Sequence, residues 1–279
     1  MQFIPASPAI VEQYLDFGKA TDYARQSWRK IPGLSKTQHS WEESHLHFLT
    51  ERIHPKNTTG KRPRVMLLFS NPHPDSVERG LFMSEARSRG FWDILSDSMQ
   101  PKMDHDFRWG QSGIEETVLK FMNGDYEEPL LFFECLYQLP SKSPKDLKKL
   151  FDWKTDDFQT FLHKPRLERI SSIINKHNIS VVLVFTQETY ESVVDQPRIS
   201  KGSREVLHAC VKENLSDALF WEFLEKRGLK DKVRLPYLNH DCTAIKIMDT
   251  RAKTWWPFDG RSIFSHVLSR GLRYAAEFG

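Results

Sequence analysis

The chain has 279 residues, which is enough for one large domain or for a domain with an appendage. Its composition, 39% apolar and 28% charged, is typical of a soluble globular protein, and no apolar run approaches the length of a membrane span. The net charge of +3 permits nucleic-acid binding through a local basic face but does not by itself indicate it.

Three cysteines, Cys135, Cys210 and Cys242, lie far apart in the sequence and form no Cys-x-x-Cys pair. This spacing argues against a disulfide framework and against an iron–sulfur cluster. No basic region followed by an apolar core is visible at the N-terminus, so we expect no secretory signal. A cytoplasmic location, or a nuclear one in a eukaryote, is therefore expected.

Residues 1–63 are predicted to form a helical N-terminal extension. Ser7 followed by Pro8 has the form of a helix cap with proline in the first turn, and apolar residues recur on one side of the segment that follows. Ser40 and Glu43 have the spacing of a capping box, which predicts a second helix.

Residues 64–279 are predicted to form an α/β domain. Helical patterns separate its apolar segments, as in βαβ units, and predict a three-layer α/β/α sandwich. A helical insertion is expected at about 197–228 and a final helix at about 261–278. The apolar segments predict a mainly parallel, four-stranded central sheet with strands at 65–69, 130–139, 179–185 and 233–240.

The first of these strands ends at Phe69, and Asn71, Pro72 and Pro74 follow in the next few residues. Two prolines so close together exclude both strand pairing and a helix interior, so a rigid loop must begin here. Proteins with parallel α/β sheets build their sites at the carboxyl ends of strands. The loop is therefore the predicted site.

Asp104, His105 and Asp106 are interpreted as part of a solvated loop, because adjacent residues do not converge easily on one metal ion. The chain contains no dinucleotide-binding glycine motif, Walker loop, nucleophile elbow or His-Glu-x-x-His motif. We therefore expect neither a cofactor nor a metal.

The pair Asn71-Pro72, the segment at 80–84 and the pair Phe91-Trp92 follow one another in this order. This order resembles the first motif of the uracil-DNA glycosylase superfamily. It is most similar to the mismatch-specific and thymine-DNA glycosylase branch, whose motif reads Gly-Ile-Asn-Pro and runs on to a Phe-Trp pair. The second apolar strand and the helix start at 145–147 are similar to the second landmark of the superfamily. The resemblance implies a uracil-DNA glycosylase-like fold.

The resemblance implies that Asn71 is catalytic and orients the water that attacks the sugar. The alternative is that Asn71 caps the turn formed with Pro72 and Pro74. His73 lies in the same loop and is assigned to the base pocket, although a loop histidine can also be solvated.

The resemblance also places a ring or thioether of Phe82 or Met83 against a flipped base. Either side chain can instead pack in the core. Ser84 is assigned to the DNA-binding surface as a hydrogen-bonding residue.

Base recognition falls by resemblance on Glu134 or Cys135, where the superfamily often has asparagine. A carboxylate can accept a hydrogen bond from the exocyclic amine of cytosine, so a modified cytosine is a candidate target. Glu134 can alternatively pair with Lys142 or Lys145. Lys142 is itself assigned to DNA binding.

The second catalytic motif of the superfamily follows its last strand as a His-Pro-Ser-type loop. The nearest match here is His240, beside Asp241 and without the expected Pro-Ser. His240 can stabilise the departing base, or it can be a structural histidine paired with Asp241. Arg251, Lys253 and Trp255 follow where the superfamily inserts a wedge into the duplex.

The resemblance implies a monofunctional, metal-independent DNA glycosylase, which we expect to act as a monomer, either in base-excision repair or in defence against phage with modified DNA. Its partner is DNA, and no membrane partner is expected. The target is a modified cytosine, or otherwise uracil or thymine. A catalytically inactive glycosylase-like module that binds DNA or protein is the alternative, and an unrelated nucleotide hydrolase is a third possibility.

Overall fold

The computed structural model of the chain describes residues 5–31, 34, 38–84, 90–99, 111–127, 129–196, 203–247 and 260–278. Its strands are β1 (Ile10–Asp16), β2 (His39–Glu42), β3 (His45–Glu51), β4 (Arg64–Phe69), β5 (Leu130–Cys135), β6 (Val181–Val184), β7 (Lys230–Lys232) and β8 (Thr243–Lys246). Its helices are α1 (Thr21–Trp28), α2 (Pro74–Arg79), α3 (Gly90–Ser98), α4 (Gln111–Asn123), α5 (Pro144–Lys149), α6 (Thr155–Phe158), α7 (Lys164–His177), α8 (Gln187–Val194), α9 (Ser203–Lys212), α10 (Asp217–Lys226) and α11 (Gly260–Phe278). A π-helical turn, Gln159–His163, joins α6 to α7.

The main sheet has five strands in the order β5-β4-β6-β8-β7. The first four of these are parallel, and the edge strand β7 is antiparallel to β8. β4, β5 and β6 are almost entirely buried, as parallel strands covered on both faces require. The predicted α/β class and the mainly parallel sheet are confirmed.

The sheet differs from the predicted one at its last strand. Residues 233–240 form a loop, and the parallel strand is β8, which comes just after it. Pro236 cannot donate a ladder hydrogen bond, and Tyr237 has a left-handed backbone with φ +60°. With β7 added at the edge, the sheet has five strands instead of four.

Helices contact both faces of the main sheet. On one face, the Phe133 ring of β5 stacks on Trp92 of α3 at a centroid distance of 5.6 Å. On the other face, the Phe132 ring lies 4.8 Å from the ring of His177 in α7. Because neighbouring residues of a strand point to opposite faces, these two phenylalanines anchor helices on opposite sides of the sheet.

The N-terminal extension is not helical as predicted. It is mainly a three-stranded antiparallel sheet in the order β1-β3-β2, with α1 between β1 and β2. The Ser7 hydroxyl does not cap a helix, because the chain after it enters β1; the hydroxyl accepts from Ala9 N at 3.1 Å and donates to Gly80 O at 2.5 Å. Ser40 lies in β2, and Glu43 forms the hairpin turn with φ +49°, so this pair is not a capping box.

A period of two explains why these segments form strands. In β3, Leu46 and Phe48 are buried, while His45 and His47 are only partly buried. An amphipathic strand alternates in this way, whereas a helix repeats its apolar face every three to four residues.

The small N-terminal sheet is joined to the outer edge of β5. Ile53 and Phe133 exchange two backbone hydrogen bonds of 3.2 and 2.8 Å. Thr50 Oγ1 also donates to Gln138 O at 2.6 Å. The extension is therefore attached to the α/β domain by hydrogen bonds as well as by packing.

Side chains satisfy further backbone groups on the outer edge of β5. Leu131 N–H donates to the Tyr126 hydroxyl at 2.9 Å. Two residues past Phe133, Cys135 O accepts a hydrogen bond from Arg169 Nη2.

The expected helical insertion contains α9 and α10, and α11 follows at the end of the chain. Arg270 of α11 donates to Leu215 O at 2.6 Å and so ties α11 to the connection between α9 and α10. Across the described parts of the chain, we find no helix with the length and apolar character that a membrane crossing requires.

Candidate functional site

The carboxyl ends of β4, β5 and β6 lie at one end of the sheet, which we call the carboxyl edge, and a site is expected there. The chain passes from β4 to β5 on one side and then crosses to β6 on the other. This reversal opens a crevice between strand ends in parallel sheets. Leu136 N–H donates to Phe69 O and Tyr137 N–H to Ser70 O, both at 2.8 Å, so the loops after β4 and β5 leave the sheet side by side.

Asn71 is held at this edge by the loop that follows β5. Its Nδ2 donates to Ser141 O at 2.7 Å, to Ser141 Oγ at 2.9 Å and to Pro72 O at 3.1 Å. Because a carbonyl oxygen can only accept, these contacts fix which way the amide points. Asn71 Oδ1 accepts no hydrogen bond from the described residues and is available to a water or a ligand.

His73 lies two residues further along the loop and caps α2. Its Nδ1 accepts from Asp75 N at 3.3 Å, so the neutral ring carries its hydrogen on Nε2. The side chain is about 30% exposed. The structure therefore places His73 on the same loop as Asn71, with a second ring nitrogen that can donate.

Of the two predicted stacking residues, only Met83 is partly exposed. The Phe82 ring is buried among Phe69 and Phe133, at centroid distances of 5.5 and 5.8 Å. Met83 has a left-handed backbone with φ +52°, a strained conformation that is frequent at functional sites. Ser84 is fully buried, so its predicted role on the DNA-binding surface is wrong.

Glu134 is fully buried and lies beside an arginine and a histidine from distant segments. Its Oε2 lies 2.8 Å from Arg169 Nη1, and its Oε1 lies 2.9 Å from His54 Nε2. Burial alone would raise the pKa of the Glu134 carboxyl, but the Arg169 guanidinium and the His54 ring outweigh it and lower that pKa to about 2. Arg169 holds Oε2 by a hydrogen bond, and the carboxylate is fully buried, so the structure does not support Glu134 as a reader of cytosine.

The side chains of Cys135 and Glu134 lie on opposite faces of the sheet, because successive residues of a strand alternate in direction. Its side chain is buried in the core, and burial raises the pKa of the thiol well above its ordinary value. The predicted ion pairs of Glu134 with Lys142 or Lys145 are also absent from the described residues. Neither predicted base reader is therefore in a position to meet a base.

His177 makes stability depend on pH in a defined window. Burial, followed by the charge of His54, lowers the pKa of His177 from 6.5 to about 4. Between pH 6.5 and 4 the unfolded chain binds a proton that the folded chain excludes, so we expect stability to fall as the pH falls through this window. Below pH 4.5, protonation of Glu134 in the unfolded state extends the loss toward pH 2.

The measurement is the urea midpoint at several pH values between 7.5 and 4, for the wild type and for His177→Phe. The phenylalanine keeps a ring beside Phe132 but cannot titrate. Its midpoint should fall less over this range than that of the wild type. Equal slopes for both proteins would contradict the assignment to His177.

His240 lies at the amino end of the parallel strands, whereas Asn71 lies at their carboxyl end, so the predicted catalytic partnership of the two residues is wrong. Its Nε2 is 3.0 Å from Ile179 O, and Ile179 precedes β6, whereas Asn71 follows the carboxyl end of β4. At a rise of about 3.3 Å per residue, the length of the strands separates the two side chains by roughly 15 Å or more. His240 Nδ1 lies 2.9 Å from Asn239 Oδ1, which indicates a structural role in its loop.

The predicted wedge residues Arg251, Lys253 and Trp255 lie outside the described residues, as does the acidic triplet at 104–106. Lys142 is exposed and directly follows Ser141. Among the described residues it forms no ion pair, so its charge faces solvent at this edge.

Sequence reasoning missed three groups at this edge. Ser141 positions Asn71, and the only hint in the sequence is a small polar residue after Pro140. Tyr137 and His163 lie 2.7 Å apart between the hydroxyl and Nδ1, although they are far apart in the chain. Lys246, at the carboxyl end of β8, is only 5% exposed, and its position in an apolar run concealed it.

Two comparisons with known proteins find no relative. A scan against models of protein families finds none that matches the chain. A search of curated proteins likewise finds no match.

Proposed function

We propose that the chain is a monofunctional DNA glycosylase, which turns a damaged, modified or mismatched base out of DNA and hydrolyses its N-glycosidic bond. The observation that carries the proposal is the geometry of Asn71. Its Nδ2 is held by Ser141 and Pro72, and its Oδ1 is left as an acceptor at the carboxyl edge of the sheet. This is the arrangement that a water-orienting amide needs, and the surrounding motif resembles that of the glycosylases.

The proposed reaction has one bond-breaking and one bond-forming event. Asn71 Oδ1 accepts a hydrogen bond from water and directs the water oxygen toward C1′ of the sugar. The C1′–N bond breaks, the base leaves with the bonding electrons, and the oxocarbenium-like sugar takes the water oxygen. The water proton passes to solvent or to the departing base, and an abasic site remains. An amide is a poor base, so the rate depends on orientation and on a good leaving group.

The proposal includes the finer description of the fold as a three-layer α/β/α sandwich similar to that of uracil-DNA glycosylases. It is supported by helices on both faces of the parallel sheet and by a polar loop at the carboxyl end of its first strand. We further propose that the protein acts as a monomer on DNA, in the cytoplasm or, in a eukaryote, in the nucleus, either in repair or in defence against phage.

The buried pairing of Glu134 changes the order of candidate bases. The case for a modified cytosine was a free carboxylate at Glu134, and that carboxylate is engaged by Arg169 and His54. Uracil and mismatched thymine therefore come first, and modified cytosine second.

The test is an excision assay that scores alkali-sensitive abasic sites. The oligonucleotides carry uracil, mismatched thymine, hypoxanthine, or hydroxymethylated or glucosylated cytosine. Cleavage of at least one of them by the wild type, lost in Asn71→Ala, supports the proposal. Cleavage of free nucleosides but not of DNA would instead indicate a nucleoside hydrolase.

A binding module is the second candidate, and one observation favours it. Two groups predicted to act on the base, Glu134 and His240, are engaged elsewhere in the structure. A pure binding module would bind DNA equally well with Asn71 or with alanine at that position and would cleave none of the substrates.

A further inference from the structure

A lysine-rich surface segment begins directly after the residue that holds Asn71. We call residues 142–154 the lysine segment; it comprises the end of the loop after β5, α5 and the turn that follows α5. It has two aspartates and a net charge of +3, which equals that of the whole chain. Its five lysines are Lys142, Lys145, Lys148, Lys149 and Lys154.

The lysines differ in how far neighbouring carboxylates neutralise them. Lys148 lies 3.2 Å from Glu188, and Lys149 lies 2.7 Å from Asp146. Lys142 and Lys145 are exposed and form no ion pair with any residue that the structure describes. Lys154 is exposed and lies over the Tyr23 ring, 5.8 Å from its centroid. Lys142 and Lys145 are therefore the cations of the segment that a phosphate can approach without displacing a carboxylate or a ring.

Trp153 projects from the end of the lysine segment. Its side chain is 57% exposed, which is unusual for so large an apolar group. Asp152 N–H donates to Lys149 O and Trp153 N–H to Lys148 O, the hydrogen-bond pattern of a Schellman motif at a helix end. The residue at the position of Trp153 usually packs back against its helix, but this ring stays largely in solvent.

The backbone beneath Trp153 is strained. Asp152 and Trp153 both have left-handed conformations, with φ +50° and +59°, although neither is glycine. Phe151 fixes the turn from below, since it is buried with its ring 5.5 Å from that of Phe17. The exposed indole is thus carried by a fixed backbone, so a ligand that stacks on the ring does not have to order the turn beneath it.

We propose that the lysine segment contacts DNA, with Trp153 stacking on a base and with Lys142 and Lys145 on phosphates. Cations interleaved with an exposed aromatic ring are the chemistry of a surface that tracks an unpaired or distorted strand. The segment starts at the neighbour of Ser141, so DNA bound along it lies beside Asn71. This inference rests on the proposed function, because it identifies DNA as the ligand of the same edge.

The experiment measures equilibrium binding, which is independent of bond cleavage. Fluorescence anisotropy is recorded with a labelled duplex that contains a central guanine–thymine mismatch, over a series of salt concentrations and with Asn71→Ala as the background. Trp153→Ala should weaken binding about tenfold. The double variant Lys142→Gln/Lys145→Gln should reduce the slope of log affinity against log salt by about 2.

The chain offers a matched control at the amino end of the parallel strands, away from the carboxyl edge. Tyr237 is also an exposed aromatic residue, 81% accessible, and also has a left-handed backbone. Tyr237→Ala should leave DNA affinity unchanged, and Trp153→Phe should restore most of what Trp153→Ala loses. Unfolding midpoints of all variants are compared with the wild type to confirm that each is folded.

The inference would be overturned by unchanged binding in Trp153→Ala, by equal weakening in Trp153→Ala and Tyr237→Ala, or by tighter binding of an RNA of the same sequence. Failure of the Asn71→Ala background to bind any duplex at low salt would overturn it too. Binding that depends on Trp153 without any excision by the wild type would leave this inference standing and refute the glycosylase. If the wild type excises a base and its DNA affinity does not change in Trp153→Ala, this inference alone is refuted.

Discussion

Arg169→Met should lower the free energy of unfolding by about 3–5 kcal/mol, the usual cost of removing one partner from a buried ion pair. Arg169 lies 2.8 Å from the fully buried Glu134 carboxylate and also donates to Cys135 O. Without the guanidinium, the described residues leave only the partly exposed His54 ring beside the carboxylate. Chemical denaturation at pH 7 measures the change.

Two variants make this result specific. Arg169→Met combined with Glu134→Leu removes both charges, so it should recover a large part of the lost stability. Lys226→Met removes a cation from an exposed pair with Glu222 and should change stability by less than about 1 kcal/mol. A loss in Arg169→Met as small as that in Lys226→Met would show that Glu134 reaches water.

Asn71→Ala should lower the rate of base excision by about 10²–10³-fold, the range seen when one preorganised hydrogen-bonding group is removed from a transition state. The alanine removes the oriented Oδ1 acceptor without placing a new group in the crevice. Single-turnover excision measures the rate, and anisotropy confirms that DNA affinity is kept. A rate within a factor of two of the wild type would exclude Asn71 as the water-orienting residue.

Asn71→Asp should also lower the rate, by about a hundredfold, although a carboxylate is the stronger base. The reason is the surroundings of Nδ2. Ser141 O, 2.7 Å away, would face a carboxylate oxygen instead of a donor and would push the side chain out of position. Ser141→Ala keeps this carbonyl and removes only the Oγ contact, so its rate should fall less than that of Asn71→Asp. A faster Asn71→Asp enzyme would show that the carbonyl does not control the side chain.

The central strands could be predicted from the sequence because burial on both faces leaves a simple trace. β4 from Val65 onward and the whole of β6 are unbroken apolar runs that are too short for a core helix. β8 escaped because a second apolar run, broken by Pro236, precedes it. β1 and β3 were not predicted, because each has only seven residues. So short a segment does not distinguish a period of two from a period of 3.6 residues when neighbouring residues resemble helix caps.

The candidate site could be predicted only in part. Asn71 was found because its loop is marked by prolines next to a strand. The partners of Glu134 were not, since His54 and Arg169 lie 80 and 35 residues away in the chain and come together only when the sheet forms. The error at His240 has a related origin. Its neighbours in sequence do not show at which end of a strand it lies, and two residues at opposite ends of parallel strands cannot share a substrate.

The outer edge of β5 has a consequence for self-association. Every outward-facing residue of this strand is occupied, Leu131 by the Tyr126 hydroxyl, Phe133 by the backbone of Ile53, and Cys135 by Arg169. An open parallel strand of this apolarity would be a template for another chain, and such edges seed aggregation. Among the residues before 64, Ile53 therefore covers the middle of this edge and blocks its pairing with another strand. A chain that began at residue 64 would lack Ile53, and the backbone N–H and C=O of Phe133 would be free to pair with a strand of another copy.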